Sequence, residues 1–382
     1  MPFYKQKIYI IVHFKFINLE IDLNIIDKLE SGIRLDYEDG VALWDLDLFE
    51  LAKFANSIRI AKNGKKVYFN SNRHINPSNL CADTCKFCAF SAHRNHGVGY
   101  TMSKDEIMQI VADTHKRGTR ELHIVSSHNP YLKPEWFFNL FSTIKLKYPH
   151  LHIKAMTAAE VDFFKRKWKM PYKETLKNMV ASGVDSMPGG GAEIFDESVR
   201  EQICKGKVSS QNWLQIHKIW HKMGRQSNAT MLFGHIESVE HRTDHILRIR
   251  ALQDEALENA NGGGFNAFIP LVYQRENNYL QVPKNMGSNE ILKTIAISRI
   301  LLDNVTHIKA YWATSTINLA LVAQEFGADD IDGTIENESI QSSAGAASKN
   351  GQNKHDFIQM IQTAGLIPVE RDSLYNELIV YG

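Results

Sequence analysis

Three thiols stand in one short run of this chain, Asn79-Leu80-Cys81-Ala82-Asp83-Thr84-Cys85-Lys86-Phe87-Cys88-Ala89-Phe90, at a Cys-x3-Cys-x2-Cys spacing. Soft thiolate ligands suit iron–sulfur chemistry, and Cys81, Cys85 and Cys88 on one loop can hold three corners of a four-iron cluster. The remaining iron then keeps an open position, which a reactive metal site needs and a closed structural site lacks. Two other chemistries fit part of the pattern. Cys85 and Cys88 alone make a Cys-x2-Cys redox pair, and His93 or His96 would complete a Cys3His zinc site. Structural zinc ligands usually come as two short pairs separated by a longer loop, so three together favour the cluster.

The fourth cysteine, Cys204, lies in the apolar-spaced helical stretch Val199-Arg200-Glu201-Gln202-Ile203-Cys204, where a thiol serves as a small buried hydrophobe. Four cysteines with three in one loop give no disulfide framework and point to a reducing, cytoplasmic setting. Lys and Arg number 44 against 43 Asp and Glu, a formal charge of +1. That balance carries no electrostatic footprint for nucleic acid or for an anionic membrane. The start, Lys5 to Phe16, is charged and then apolar like a signal peptide, but His13 and Lys15 interrupt it and no small-residue cleavage site follows. It is expected to be an N-terminal extension.

The elements that must position the cysteines read as repeated β-α units. With 382 residues and 43% hydrophobic content, the chain can bury a large core. Short apolar runs are expected as strands at Lys66–Asn70 or His74–Asn76, then Glu121–Ser126, His152–Met156, Gly183–Met187, Asn228–Phe233, Asn266–Val272, His307–Trp312 and Asp329–Gly333. Helical patterns fall between them: one opens at the Ser103/Glu106 capping box, and others run over Trp136–Tyr148, Tyr172–Ser182, Gln211–Met223, Asn289–Asp303 and Ile317–Phe326. This alternation predicts an α/β fold, a TIM-type (β/α) barrel that is complete or nearly so. Residues 1–65 are expected to form an N-terminal extension and helical cap, and residues 66–382 the barrel with a C-terminal tail.

In such barrels the chemistry gathers at the C-terminal ends of the strands. The cysteine loop follows the first strand. The same rule brings Ser126-Ser127-His128, Thr157-Ala158-Ala159-Glu160, Gly189-Gly190-Gly191-Ala192-Glu193, Gly234-His235-Ile236-Glu237 and Gln274-Arg275 to one cavity. Glycines let backbone approach a ligand closely, and the helix beginning at Asp196 turns its N-terminus toward that space. The small-residue run Ser342 to Gly351 is a further candidate site loop.

The cysteine spacing, with Phe87 before the last thiol, resembles the radical S-adenosylmethionine (SAM) superfamily. Tyr68-Phe69-Asn70-Ser71-Asn72-Arg73-His74-Ile75-Asn76-Pro77, Gly189 to Phe195, Met231-Leu232-Phe233-Gly234-His235-Ile236-Glu237 and Phe268-Ile269-Pro270-Leu271 resemble, more narrowly, the aminofutalosine synthase family of the futalosine route to menaquinone, over about residues 22–370. The resemblance implies a [4Fe-4S] cluster on Cys81, Cys85 and Cys88, with SAM consumed as a co-substrate. It implies addition of the 5′-deoxyadenosyl group to 3-[(1-carboxyvinyl)oxy]benzoate, aryl migration and loss of a carboxyl group, giving 6-amino-6-deoxyfutalosine.

On the same ground Phe87, Ser126, Ser127, Thr157, Glu160, Gly190 and Glu193 are expected around SAM, and Arg73, His74, His128, Glu237 and Arg275 around the dicarboxylate substrate. Arginine suits planar recognition of carboxylates. Ser126-Ser127 stands where the family commonly has Gly-Gly, and Gln274-Arg275 where it has His-Pro. An electron donor such as flavodoxin or ferredoxin is the expected partner. A related dehypoxanthine futalosine cyclase or deazaflavin-type synthase shares cluster and barrel, while a zinc or electron-carrier protein would neither bind nor cleave SAM.

Overall fold

The computed structural model describes residues 25–92, 99–283, 285–335, 339–346 and 351–382. Its strands are, in chain order, β1 (Lys66–Asn70), β2 (Asn72–Ile75), β3 (Glu121–Ile124), β4 (His152–Ala155), β5 (Gln226–Phe233), β6 (Gly264–Val272), β7 (His307–Ile308), β8 (Asp330–Gly333), β9 (Ile367–Arg371) and β10 (Glu377–Val380). The first two are halves of one run broken at Ser71, whose carbonyl accepts from the amides of Arg120 and Glu121. β1 pairs with β8 through Tyr68↔Asp330 and Asn70↔Gly333, while β2 pairs with β3. The broken strand thereby joins the last stave of the barrel to the next.

The rest of the circuit is parallel, as covering helices require. β3 pairs with β4, β5 with β6, and β6 with β7. Single bridges complete the ring at Lys154↔Ser186, Met187↔Ser227 and Lys309↔Asp330. Two expected strands are therefore much shorter than their apolar runs. Gly183–Met187 contributes only the bridges at Ser186 and Met187, and the run from His307 yields two strand residues before a short helix starts at Trp312.

Helices cover the outside. The Ser103/Glu106 capping box forms as read, and its helix buries Ile107, Val111 and Thr114. Thr157 and Glu160 form a second capping box, with N–H groups of both residues satisfied at the start of a helix over Ala158–Trp168. Residues 25–63 are largely helical and lie against the barrel's side: Trp44 Nε1 donates to Thr243 Oγ1 at 3.0 Å, and Lys293 Nζ to the Trp44 carbonyl at 2.7 Å. No helix among the described residues is long and apolar enough to cross a membrane.

The expected tail is a structured closure of the barrel's lower end. β9 lies beside β1 in parallel, from Lys66↔Ile367 to Phe69↔Glu370, and β10 turns back on it. Between them Ser373 donates to Glu121 Oε2 in β3 at 2.5 Å, while its carbonyl accepts from Asn266 Nδ2 in β6 at 3.1 Å. Tyr375 stacks on His307 with ring centroids 3.7 Å apart. One turn thus touches strands on different sides of the ring and leaves the opposite, C-terminal end of the strands open to ligands.

Candidate active site

The cysteine loop is held from three directions. On the β3 side, Ser127 Oγ donates to the Leu80 carbonyl at 2.6 Å, the Ala82 amide donates to the His128 carbonyl at 2.9 Å, and His128 Nδ1 lies 2.6 Å from Asp83 Oδ2. On a second side, the Lys86 amide donates to the Ile203 carbonyl at 2.7 Å. From the β6 side the amides of Tyr279 and Leu280 both donate to the Lys86 carbonyl, at 2.7 and 3.1 Å. These bonds satisfy backbone groups that a buried loop would otherwise leave unpaired. They also fix the loop's place: Cys81, Cys85 and Cys88 all line one cavity of about 300 Å³.

Across that cavity lies the glycine turn. A Cβ on Gly189 would stand 2.8 Å from the backbone of Asn228, Ala229 and Thr230, so the turn can pack on β5 only without a side chain. Gly191 takes φ +91 with Ala159 close behind it. Buried Arg200 holds the following loop by donating to the carbonyls of Gly191, Ala192, Ile194 and Val208. At the end of this turn Glu193, with φ 49, accepts from Lys207 Nζ at 2.7 Å, and the ammonium stands 5.5 Å from the centre of the Phe87 ring. Burial alone would lower Lys207, but the Glu193 carboxylate beside it holds it well above the usual lysine range.

The floor of the cavity belongs to the barrel interior. His74, His123 and Lys154 stand side by side in register on β2, β3 and β4. Lys154 Nζ bonds Glu121 Oε2 at 2.8 Å, and Lys309 Nζ bonds Asp332 Oδ1 at 2.6 Å. Burial holds His123 well below the usual histidine range, and the ammonium groups of Lys154 and Lys309 act in the same direction. Asp332 has φ 73, an unusual backbone for a residue other than glycine or asparagine.

The radical SAM superfamily profile matches residues 75–249, and that of the CofH/MqnC C-terminal region matches 262–380. The aminodeoxyfutalosine synthase of Thermus thermophilus is 40% identical over 94% of this chain and 96% of its own. The cyclic dehypoxanthine futalosine synthase of Streptomyces coelicolor is 34% identical over 94% of this chain and 89% of its own. Among solved structures, the FeFe-hydrogenase maturase HydG from Carboxydothermus hydrogenoformans superposes with a TM-score of 0.71 at 14% identity, over 97% of this chain and 84% of that one. The chain belongs to the radical SAM superfamily, among the aminodeoxyfutalosine synthases.

A radical SAM enzyme implies a [4Fe-4S] cluster and SAM, and the donor set suits both. The three soft thiols belong to residues lining one cavity, and the carboxylate between them, Asp83, is committed to His128 and Arg166. Burial pushes the thiol of Cys81 up and that of Cys85 well up, so binding a metal must release their protons. For SAM the cavity offers the glycine turn and a buried hydroxyl, Ser126 Oγ, with no hydrogen-bond partner among the described residues.

The structure sorts the residues expected from the sequence. Phe87, Ser126, Ser127, Thr157, Gly190, Glu193, His74 and His128 line the cavity with the three cysteines. Glu160 does not: its carboxylate accepts from the amides of Ser126 and Thr157 beneath the surface, bracing the wall. The Glu237 side chain is buried elsewhere, accepting from the amides of Gly234 and His235 and paired with Arg242 at 2.7 Å. Arg73 and Arg275 stand outside the lining, and Arg275 instead donates to the Pro283 carbonyl.

Lys154, Lys309 and Lys207, which the sequence reading did not select, also line the cavity. Lys154 carried a usable signal, being the in-register neighbour of His74 and His123 on an inward face. Of the small-residue loop, Ala344 lines the cavity while residues 347–350 lie outside the described residues. So do the first 24 residues and the segment containing His93, Arg94, Asn95 and His96.

Proposed function

We propose that this enzyme consumes SAM as a co-substrate, adding its adenosyl portion to 3-[(1-carboxyvinyl)oxy]benzoate with rearrangement and loss of one carboxyl group to give 6-amino-6-deoxyfutalosine. The observation that carries the reading is the likeness to an aminodeoxyfutalosine synthase along nearly the whole of both chains. Its support in the site is that the cysteines, the glycine turn and buried lysines, each paired with one carboxylate, face one cavity. When bound, the cluster supplies the electron that breaks a carbon–sulfur bond of SAM.

The chain's own residues do the rest by placement. Gly190 and the Ser126 hydroxyl offer SAM a close backbone and a donor, and Tyr273, Leu271 and Ile269 give the alkene a dry wall. Holding two reactants against each other removes much of the entropic barrier to their joining, and an enclosed cavity limits competing reactions with water. A small low-potential carrier of the flavodoxin or ferredoxin type would deliver the electron, in a cytoplasmic setting.

The test is an anaerobic incubation of the reconstituted enzyme with reductant, SAM and 3-[(1-carboxyvinyl)oxy]benzoate, followed by mass analysis. A product of aminodeoxyfutalosine mass, absent in Cys85→Ala, is expected. Free 5′-deoxyadenosine without an adduct would overturn the substrate assignment and direct attention to the cyclase reaction.

A further inference from the structure

The substrate proposed above is a dicarboxylate, and neither arginine expected to meet it lines the cavity. The cations that do are lysines. Lys207 is engaged by Glu193, whereas Lys154 and Lys309 stand deeper, on the barrel floor, with side chains 3% and 2% exposed. Among the described residues each of these two ammonium groups has one acceptor, Glu121 or Asp332. An ammonium has three N–H donors, and donors left unmatched in a buried place are costly. Both therefore keep donors for whatever fills the cavity.

Resting on the proposed function, we infer that Lys154 and Lys309 together receive the ring carboxylate of the substrate. Both line the one cavity, and beyond the larger effect of burial each lowers the proton affinity of His123, while Lys309 also lowers that of Lys154. Glu121, the anion balancing Lys154, does not line the cavity, so a ligand there meets the Lys154 ammonium directly, whereas Asp332 lines the cavity beside Lys309 and shares that ammonium with the ligand. His123, kept neutral by burial, adds a polar edge without charge.

Orientation selects which carboxylate arrives. The cysteines sit on the loop beyond β2, at the upper end of the cavity, while Lys154 lies within β4 and Lys309 directly follows β7. The alkene must face the cysteine end. The carboxylate on its own carbon is then held near the reacting atoms, and the ring carboxylate points to the floor. It is also the carboxylate that the rearrangement leaves in place, so it can anchor substrate and product alike.

Anaerobic calorimetry on the reconstituted enzyme with SAM tests this, comparing 3-[(1-carboxyvinyl)oxy]benzoate with the analogue whose ring carboxylate is a carboxamide. Wild type should prefer the acid by about 10- to 100-fold, the scale of a charge-assisted hydrogen bond in a dry site. In Lys154→Met and Lys309→Met, and in Lys309→Met/Asp332→Asn, where no charge is left unpaired, that preference should shrink to within about threefold. Thermal melts establish that each variant compared is folded. A wild-type preference that survives in the folded variants overturns the inference while leaving the proposed function intact. Equal affinity of wild type for acid and amide, as ordered water on the floor would give, overturns it too. Failure of wild type to bind the acid or form its adduct overturns the proposed function itself.

Discussion

His128 Nδ1 and Asp83 Oδ2 stand 2.6 Å apart, both side chains 6% exposed, and this pair ties the loop between Cys81 and Cys85 to the segment after β3. Arg166 reaches the other Asp83 oxygen at 3.3 Å, and the His128 ring stacks on Phe163. Burial would raise the Asp83 carboxyl, but the hydrogen bond from His128 and the nearby positive charges hold it below the usual aspartate range. The contact therefore orders the cluster loop without being part of the cluster.

Asp83→Ala should destabilise the fold by about 3–5 kcal/mol, the usual cost of leaving one member of a buried pair behind. It should also reduce the iron retained after anaerobic reconstitution, because Cys81 and Cys85 lose their common anchor. Denaturant unfolding and iron analysis read the two effects. A variant with wild-type unfolding midpoint and iron content would show that the pair does not order the loop.

The glycine turn makes a contrast between neighbours. At Gly189 an added Cβ meets three backbone atoms at 2.8 Å, which cannot step aside, whereas at Gly190 it meets only the Thr157 methyl at 3.0 Å. Gly189→Ala should cost about 1–3 kcal/mol as overpacking and disturb SAM binding by moving the turn off β5. Gly190→Ala should be nearly neutral in stability yet weaken SAM binding, since Gly190 lines the cavity. Melting curves with SAM titrations on both variants separate these effects, and equal stabilities would refute the packing argument.

Ser126 offers a third comparison. Its amide donates to Glu160 while its hydroxyl is buried without a partner among the described residues. Removing an unsatisfied buried hydroxyl is close to neutral, so Ser126→Ala should change stability by less than about 0.5 kcal/mol. If the hydroxyl meets SAM, the KM for SAM should rise by about 5- to 10-fold, one hydrogen bond's worth, with kcat nearly unchanged. An unaltered KM would assign Ser126 to the wall alone.

Much of the architecture could be read from local pattern because each β-α unit advertises itself. Apolar runs of strand length, capping boxes and C-terminal glycines are short-range signals, and the Ser103/Glu106 box formed where it was read. The C-terminal closure could not be read this way. Ile367–Arg371 becomes a strand by pairing with Lys66–Asn70, about three hundred residues away in sequence, and nothing local marks that partner.

The site divides along the same line. The cysteines follow from spacing alone, and the glycine turn from composition. Choosing Arg73 and Arg275 as carboxylate partners rested on chemistry without direction, whereas Lys154 and Lys309 line the cavity and are paired in the interior with Glu121 and Asp332. Glu160 carries a local signal of another kind: Thr157-Ala158-Ala159-Glu160 is itself a capping-box sequence, and in the structure the carboxylate caps the helix start.

The lower closure should dominate acid stability. Arg371 Nε donates to Asp330 Oδ2 at 2.7 Å, joining β9 to β8 where both side chains are fully buried. Burial opposes ionisation of Asp330, yet Arg371 and Lys309 overcome it and bring its pKa down to about 2. A carboxyl whose folded pKa lies below its unfolded value near 4 contributes stability that is complete above about pH 4 and lost as pH falls toward 2. From 3.8 to about 2 the linkage is worth about 2 kcal/mol. Asp330→Asn should therefore be less stable at pH 7, with Arg371 left unpaired, and should lose less further stability than wild type between pH 4 and 2. Urea unfolding across that range measures both slopes, and parallel slopes would mean that Asp330 is not the group whose protonation loosens the barrel from below.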